Sequence, residues 1–166
     1  MNTSAFPLRR LLVGSWLTLG LLLAGCDFKH PYGEPSGEPI DAALVGSWIE
    51  TEIMDGNALR VLTVEAVTAS EFRVRFGDHT FMARRAKGAP DNFLQLRLPT
   101  PTDGDISASH IYIFCFFGMV DGELVVKRVT APDGESFETP ESVQAYVGRA
   151  IAGETFKAYV YRFRRG

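Results

Sequence analysis

Glu71-Phe72-Arg73-Val74-Arg75-Phe76 is the stretch on which the fold turns. Phe72, Val74 and Phe76 fall at every second position, and the charged Glu71, Arg73 and Arg75 occupy the positions between. Successive side chains of a strand point to opposite faces, so a period of two sets an apolar face on a core and a charged face in water. A helix would need its apolar residues three and four apart.

The same period extends outward in both directions. Gly77-Asp78 is a turn into a strand from His79 to Lys87, which Gly88 breaks. Upstream, Ser47 to Met54 and Ala58 to Val67 read as two strands joined at Asp55-Gly56-Asn57, because Asp-Gly suits the positive φ angles of a type I′ turn. Downstream, Asn92 to Leu98 carries Leu94, Leu96 and Leu98 on one side, and Pro99 to Asp105 is a loop. Ser109 to Phe117 is apolar on both faces, which predicts a strand covered on both sides. A second Asp-Gly turn, within Gly118 to Gly122, leads into Glu123 to Val129.

The period changes once. Thr139 offers a capping hydroxyl, Pro140 suits the first helical position and Glu141 puts an acid in the first turn. Val143, Tyr146, Val147 and Ala150 then recur at helical spacing, with Ile151 beside them, and Gly153 closes the helix. Thr155 to Arg164 returns to a strand, with Phe156, Ala158 and Val160 on one face. The expected fold is mainly β: an antiparallel meander of about eight strands with one C-terminal helix before the last strand. Its edges need protection. Either the sheet closes into a barrel, or it curves strongly with the helix laid over one opening.

The N-terminus follows a different logic. Arg9 and Arg10 precede an uncharged run from Leu11 to Leu23. As a helix this run would span about 20 Å, short of the ~30 Å hydrocarbon core, and it has the length of a signal-peptide apolar region. It ends in Leu23-Ala24-Gly25-Cys26, which resembles the lipobox of bacterial lipoproteins. The resemblance implies cleavage between Gly25 and Cys26, a diacylglycerol on the Cys26 thiol and an acylated new amino terminus. Two or more acyl chains anchor stably where one binds only marginally. Asp27 resembles the inner-membrane retention signal of enteric bacteria, a rule that varies between groups, so inner and outer membrane both stay open. In either case the domain is expected to face the periplasm. Residues 27 to 40, with prolines at 31, 35 and 39 and glycines at 33 and 37, have no periodic apolar face. The expected organisation is a signal peptide over 1–25, a lipidated cysteine and flexible tether over 26–40, and a β-rich globular domain over 41–166.

Charge and chemistry narrow the function classes. Loss of Arg9 and Arg10 reduces 17 basic residues to 15 against 20 acidic ones, a balance of −5. That argues against a nucleic-acid binder, which needs a basic face. Cys115 is then the remaining cysteine, and its apolar surroundings predict a buried thiol. His30, His79 and His110 show no metal-ligand spacing, although His79 and His110 could meet across strands with Asp78 as orienter. Asp103 and Asp105 lack the further ligands of a calcium loop. No nucleophile elbow, phosphate loop or zinc-protease motif is present, so no catalytic residue, metal or cofactor is expected. Arg84, Arg85 and Lys87, and Arg162, Arg164 and Arg165, form two basic clusters at strand ends. On one side of the domain they could meet an acidic partner or lipid phosphates.

Gly46-Ser47-Trp48, opening the first strand, resembles the Gly-x-Trp signature of lipocalin-like β-barrels. The resemblance covers three residues and the strand order. It implies a Trp48 that closes the barrel base and an arginine of the final strand packed upon it, with Arg162 or Arg164 in that part. It also implies an interior able to take a small apolar ligand. Two expectations follow from these readings. The first is a non-enzymatic, lipid-anchored envelope domain that binds a protein partner. The alternative is a carrier or sensor of a small apolar molecule.

Overall fold

The computed structural model describes residues 28–52, 59–98, 112–132, 135, 137–154 and 158–166. Eight antiparallel strands close into an up-and-down barrel in sequence order: β1 (Gly46–Glu50), β2 (Val61–Thr68), β3 (Glu71–Phe76), β4 (His79–Arg84), β5 (Phe93–Arg97), β6 (Tyr112–Val120), β7 (Glu123–Val129) and β8 (Ala158–Arg165). β8 pairs with β1, Phe163 opposite Glu50, so no strand edge is left open. One helix, α1 (Pro140–Ile151), precedes β8.

The local signals act as the sequence indicated. β3 begins and ends where its alternation does, with Phe72 and Val74 buried. The β6–β7 hairpin turns on Asp121 (φ 51°) and Gly122 (φ 82°), both positive as a type I′ turn requires. Strand β6 runs through Gly118 to Val120, so the second turn is confined to those two residues. Thr139 caps α1, accepting from the Ser142 amide while the Ser142 hydroxyl accepts from the Thr139 amide. The hairpin expected at Asp55-Gly56-Asn57 lies outside the described residues.

Because consecutive strands alternate direction, the β1–β2, β3–β4, β5–β6 and β7–β8 connections share one end of the barrel. The other end is closed by a 3₁₀ turn, Ala42–Leu44, whose Leu44 is buried beneath the strands.

Two apolar cores result. The inner one fills the barrel with Leu44, Trp48, Leu62, Phe72, Val74, Phe81, Leu94, Leu124 and Phe163 among others. The second lies outside the wall, where Phe93, Phe114 and Val129 meet Val143, Tyr146 and Val147 of α1. This explains the two-sided apolarity of residues 111–117. Phe114 faces the outer core, while Ile113 and Phe117 pack against the inner one. The helix therefore covers the wall and not an opening.

The stretch expected to be a flexible tether is a strap. Phe28 is 2% exposed. It exchanges both backbone hydrogen bonds with Tyr112, at 3.0 and 2.7 Å. Its ring packs 4.9 Å from that of Phe114. Lys29 pairs with Glu138, His30 meets the Glu138 carbonyl, Pro35 bridges to Ala86, and the Ile40 amide donates to Ala69. Proline and glycine removed the helical and strand periodicity without removing the contacts: two aromatic anchors, Phe28 and Tyr32, hold the segment in the outer core. Cys26 and Asp27 lie outside the described residues.

Candidate functional site

The closed end is built around one tryptophan. Trp48 is buried, and its indole N–H donates to the Leu44 carbonyl at 2.9 Å, tying the first strand to the 3₁₀ turn. The guanidinium of Arg165 sits 4.8 Å from the Trp48 ring. It also donates to the carbonyls of Ala43 and Val45, both at 3.1 Å. Gly46 makes the approach possible. Its φ of 141° is unfavourable for any side chain, and a Cβ there would stand 3.3 Å from Arg165 Cζ.

The arginine over Trp48 is Arg165, not Arg162 or Arg164. The cause is the parity of β8. Phe163 is buried in the inner core and Tyr161 packs against it, so the odd positions face inward. Val160 is exposed, and Ala158 is only partly buried. The face expected to hold Phe156, Ala158 and Val160 is thus the outer one, with Phe156 itself outside the described residues. Arg162 pairs with Glu123 at 3.4 Å, and Arg164 is exposed. A strand whose two faces both carry apolar residues does not declare its inner face by periodicity. The aromatic pair Tyr161 and Phe163 was the available signal.

Above the plug lies an apolar cavity of about 80 Å³, bounded among others by Leu44, Val64, Phe72, Leu94, Cys115 and Val126. Cys115 is buried, and desolvation pushes its thiol up to about 12, with the Arg128 charge opposing. Toward the end opposite the plug the interior turns polar. Glu50, 2% exposed, receives the Arg60 guanidinium on both oxygens, at 2.6 and 2.8 Å. Those hydrogen bonds hold the Glu50 carboxyl below its usual value, against burial and aided by the Arg60 charge. Arg60 also lies 4.6 Å over Phe76 and 5.5 Å over Tyr161. Burial raises the Tyr161 phenol, and the Arg128 and Arg60 charges oppose it.

A second hollow, about 450 Å³, lies outside the barrel between the strap and strands β3 to β6. Met82, Arg84, Gln95 and Arg97 line its floor, with Gly33 and Pro35 along one side. The Gln95 amide nitrogen donates to the Gly33 carbonyl at 3.0 Å, whereas its oxygen is buried with no hydrogen-bond partner among the described residues.

The remaining sequence candidates separate. His79 is exposed at the start of β4, at the end opposite the plug. His110, Asp103, Asp105, Gly25 and Cys26 lie outside the described residues. Arg84 pairs with Glu71 and Arg85 with Asp91. Both basic clusters sit at the closed end, and three of their arginines, Arg84, Arg85 and Arg162, are engaged by carboxylates. Among the described residues, no three or more His, Cys, Asp or Glu come together as a metal set, and no helix is long and apolar enough to cross a membrane.

The fold and this site define a closed eight-stranded barrel, plugged by tryptophan and arginine at one end and polar near the other. No protein-family model, curated protein or solved structure matches the chain.

Proposed function

We propose that this chain is a lipid-anchored envelope protein whose barrel takes up a small apolar molecule in the cavity above the Trp48 plug. The observation that carries the reading is the asymmetry of the barrel. Leu44, Trp48 and Arg165 seal one end, an apolar cavity follows, and a cluster of Glu50, Arg60, Phe76 and Tyr161 stands toward the other. Gly46-Ser47-Trp48 with an arginine from the last strand resembles the base of lipocalin-like barrels, which supports a carrier or sensor. The location rests on the sequence alone. The basic Arg9-Arg10, the run Leu11 to Leu23 and the lipobox-like Leu23-Ala24-Gly25-Cys26 favour a signal peptide, palmitate-type acylation at Cys26 and a periplasm-facing domain. Inner and outer membrane both remain compatible.

Volume sets the ligand class. A water molecule takes ~30 Å³ of liquid, so the cavity equals two or three waters, well below the ~300–1,000 Å³ of drug-sized sites. This form accepts a short apolar tail, and a longer one requires side chains lining the cavity to move. Native mass spectrometry of residues 27–166 with saturated fatty acids of graded length tests the reading. A saturable one-to-one adduct is expected, and the cavity-filling Val64→Phe should abolish it without unfolding the barrel. Absence of any adduct across the series sinks the carrier.

The outer hollow favours a second reading, binding of an envelope protein partner. A partner chain laid beside the strap would meet Met82, Arg84 and Arg97 on the floor of that hollow. In-cell crosslinking from a position beside Met82 would then recover one protein reproducibly, and Met82→Asp would weaken that capture.

A further inference from the structure

We infer, on the carrier reading proposed above, that the molecule held above the Trp48 plug is an anionic amphiphile, with its tail in the apolar cavity and its carboxylate against Arg128 and Tyr161. Strand parity places both side chains. Leu124 and Val126 of β7 belong to the inner core, so Arg128, two positions on from Val126, faces the interior as well. The register agrees. Arg128 stands opposite Cys115 on β6, and Val126 stands opposite Tyr161 on β8. Directly opposed residues of an antiparallel pair share a face, with Cβ atoms ~4.5–5.5 Å apart. Cys115 and Val126 both line the cavity. A cation and a phenol are therefore each the cross-strand neighbour of a cavity-wall residue.

The two groups act together. A side-chain hydrogen bond joins Arg128 to the Tyr161 phenol, and burial keeps that phenol protonated at neutral pH. A phenol oxygen that accepts from a guanidinium still carries its own O–H, so Tyr161 can donate onward. The guanidinium itself has five N–H donors, more than one phenol oxygen takes up. Arg60, 5.5 Å over the Tyr161 ring, adds a second positive charge on the same side and is balanced by Glu50.

Charge and volume set the ligand class. An anion beside an apolar wall is costly unless it is paired and hydrogen-bonded, and Arg128 with Tyr161 supplies both a charge and donors. A carboxylate suits the planar fork of a guanidinium, and such charge-assisted bonds are about twice as strong as neutral ones. An uncharged head would gain only neutral hydrogen bonds there, and an amine would meet like charge. The tail has about 80 Å³, bounded by Leu44, Val64, Phe72 and Leu94 among others, which admits a chain of a few carbons.

Calorimetric titration of the full chain compares three probes that share a tail: hexanoate, 1-hexanol and hexylamine. Hexanoate should bind about tenfold or more tighter than hexanol, the effect of one charge-assisted hydrogen bond, and hexylamine more weakly than either. Val64→Phe, which fills the cavity, should remove hexanoate and hexanol binding alike. Arg128→Gln should bring hexanoate down to the hexanol level and leave hexanol unchanged. Arg128→Lys, which keeps the charge, should retain part of the preference, and Tyr161→Phe should cost a smaller factor. Circular dichroism checks that each variant is folded, and the comparison of probes on the unsubstituted chain needs no variant. Equal binding of hexanoate and hexanol overturns the assignment of the head and leaves the carrier standing. A preference that persists in folded Arg128→Gln puts the anion elsewhere and overturns it too. Absence of binding by all three probes overturns the carrier and the anionic ligand together.

Discussion

Arg165→Ala should destabilise the barrel where its neighbours Arg162→Ala and Arg164→Ala do not. The substitution removes a guanidinium 4.8 Å from the Trp48 ring and two hydrogen bonds of 3.1 Å to Ala43 and Val45. The arginine is exposed on its outer side, so the cation–π contact belongs near ~0.5–1 kcal/mol, the range of solvent-accessible pairs. Water can replace the lost donors at the two carbonyls, which limits each bond to ~0.5–1 kcal/mol. The sum is about 2 kcal/mol. Arg162 contributes an exposed pair with Glu123 at 3.4 Å, worth ~0–1 kcal/mol. Arg164, exposed on the outer wall, should cost no more than ~0.5 kcal/mol. Urea unfolding of residues 27–166, followed by Trp48 fluorescence, measures all three. Trp48 is the reporter because the other of the two tryptophans, Trp16, lies outside that span. Gly46→Ala should resemble Arg165→Ala, since its Cβ displaces the guanidinium and its φ strains the backbone. An Arg165→Ala loss equal to that of Arg164→Ala would refute the account of the plug.

Three further outcomes are expected. Glu50 has a folded-state pKa below its ordinary 4.5, so its contribution is present above that value and lost as pH falls through the folded one. Glu50→Gln should therefore cost ~2 kcal/mol at neutral pH, at or below the low end for a broken buried pair because Arg60 is partly solvated, and the gap to wild type should close in acid; a gap independent of pH argues against the pair. Cys115, with its thiol pushed up to about 12, should resist aromatic-disulfide reagents in the native protein and react at once in urea. Phe28→Ala should cost about 3–5 kcal/mol and expose residues 29–40 to limited proteolysis, which gel analysis of timed digests would show.

Most of the barrel was legible because most strands have one wet face. Val64, Phe72, Val74, Phe81 and Ala83 alternate with polar or partly exposed neighbours, so period two located these strands and named their inner sides. Closure is the stronger of the two solutions read for the sheet edges, and the structure adopts it. The plug was legible in part. Trp48 was marked by its neighbours, but its cation was placed on the wrong side of β8, where Val160 and Tyr161 give both faces apolar character. The Glu50–Arg60 pair was not legible, because a buried carboxylate looks like a surface one until its partner is placed, and Arg60 stands ten residues away along the chain.

The misread strap and the correctly read strand β6 have one physical cause. Burial of both faces of residues 112–117 requires an outer cover, and α1 supplies only part of it, through Val143, Tyr146 and Val147. Phe28 completes the layer, with rings of Phe114, Phe137 and Tyr146 all within 6.2 Å of its own. Two-sided apolarity in a strand beside a single short helix thus implied a missing apolar residue elsewhere in the chain. The segment with no periodicity of its own was the one free to provide it.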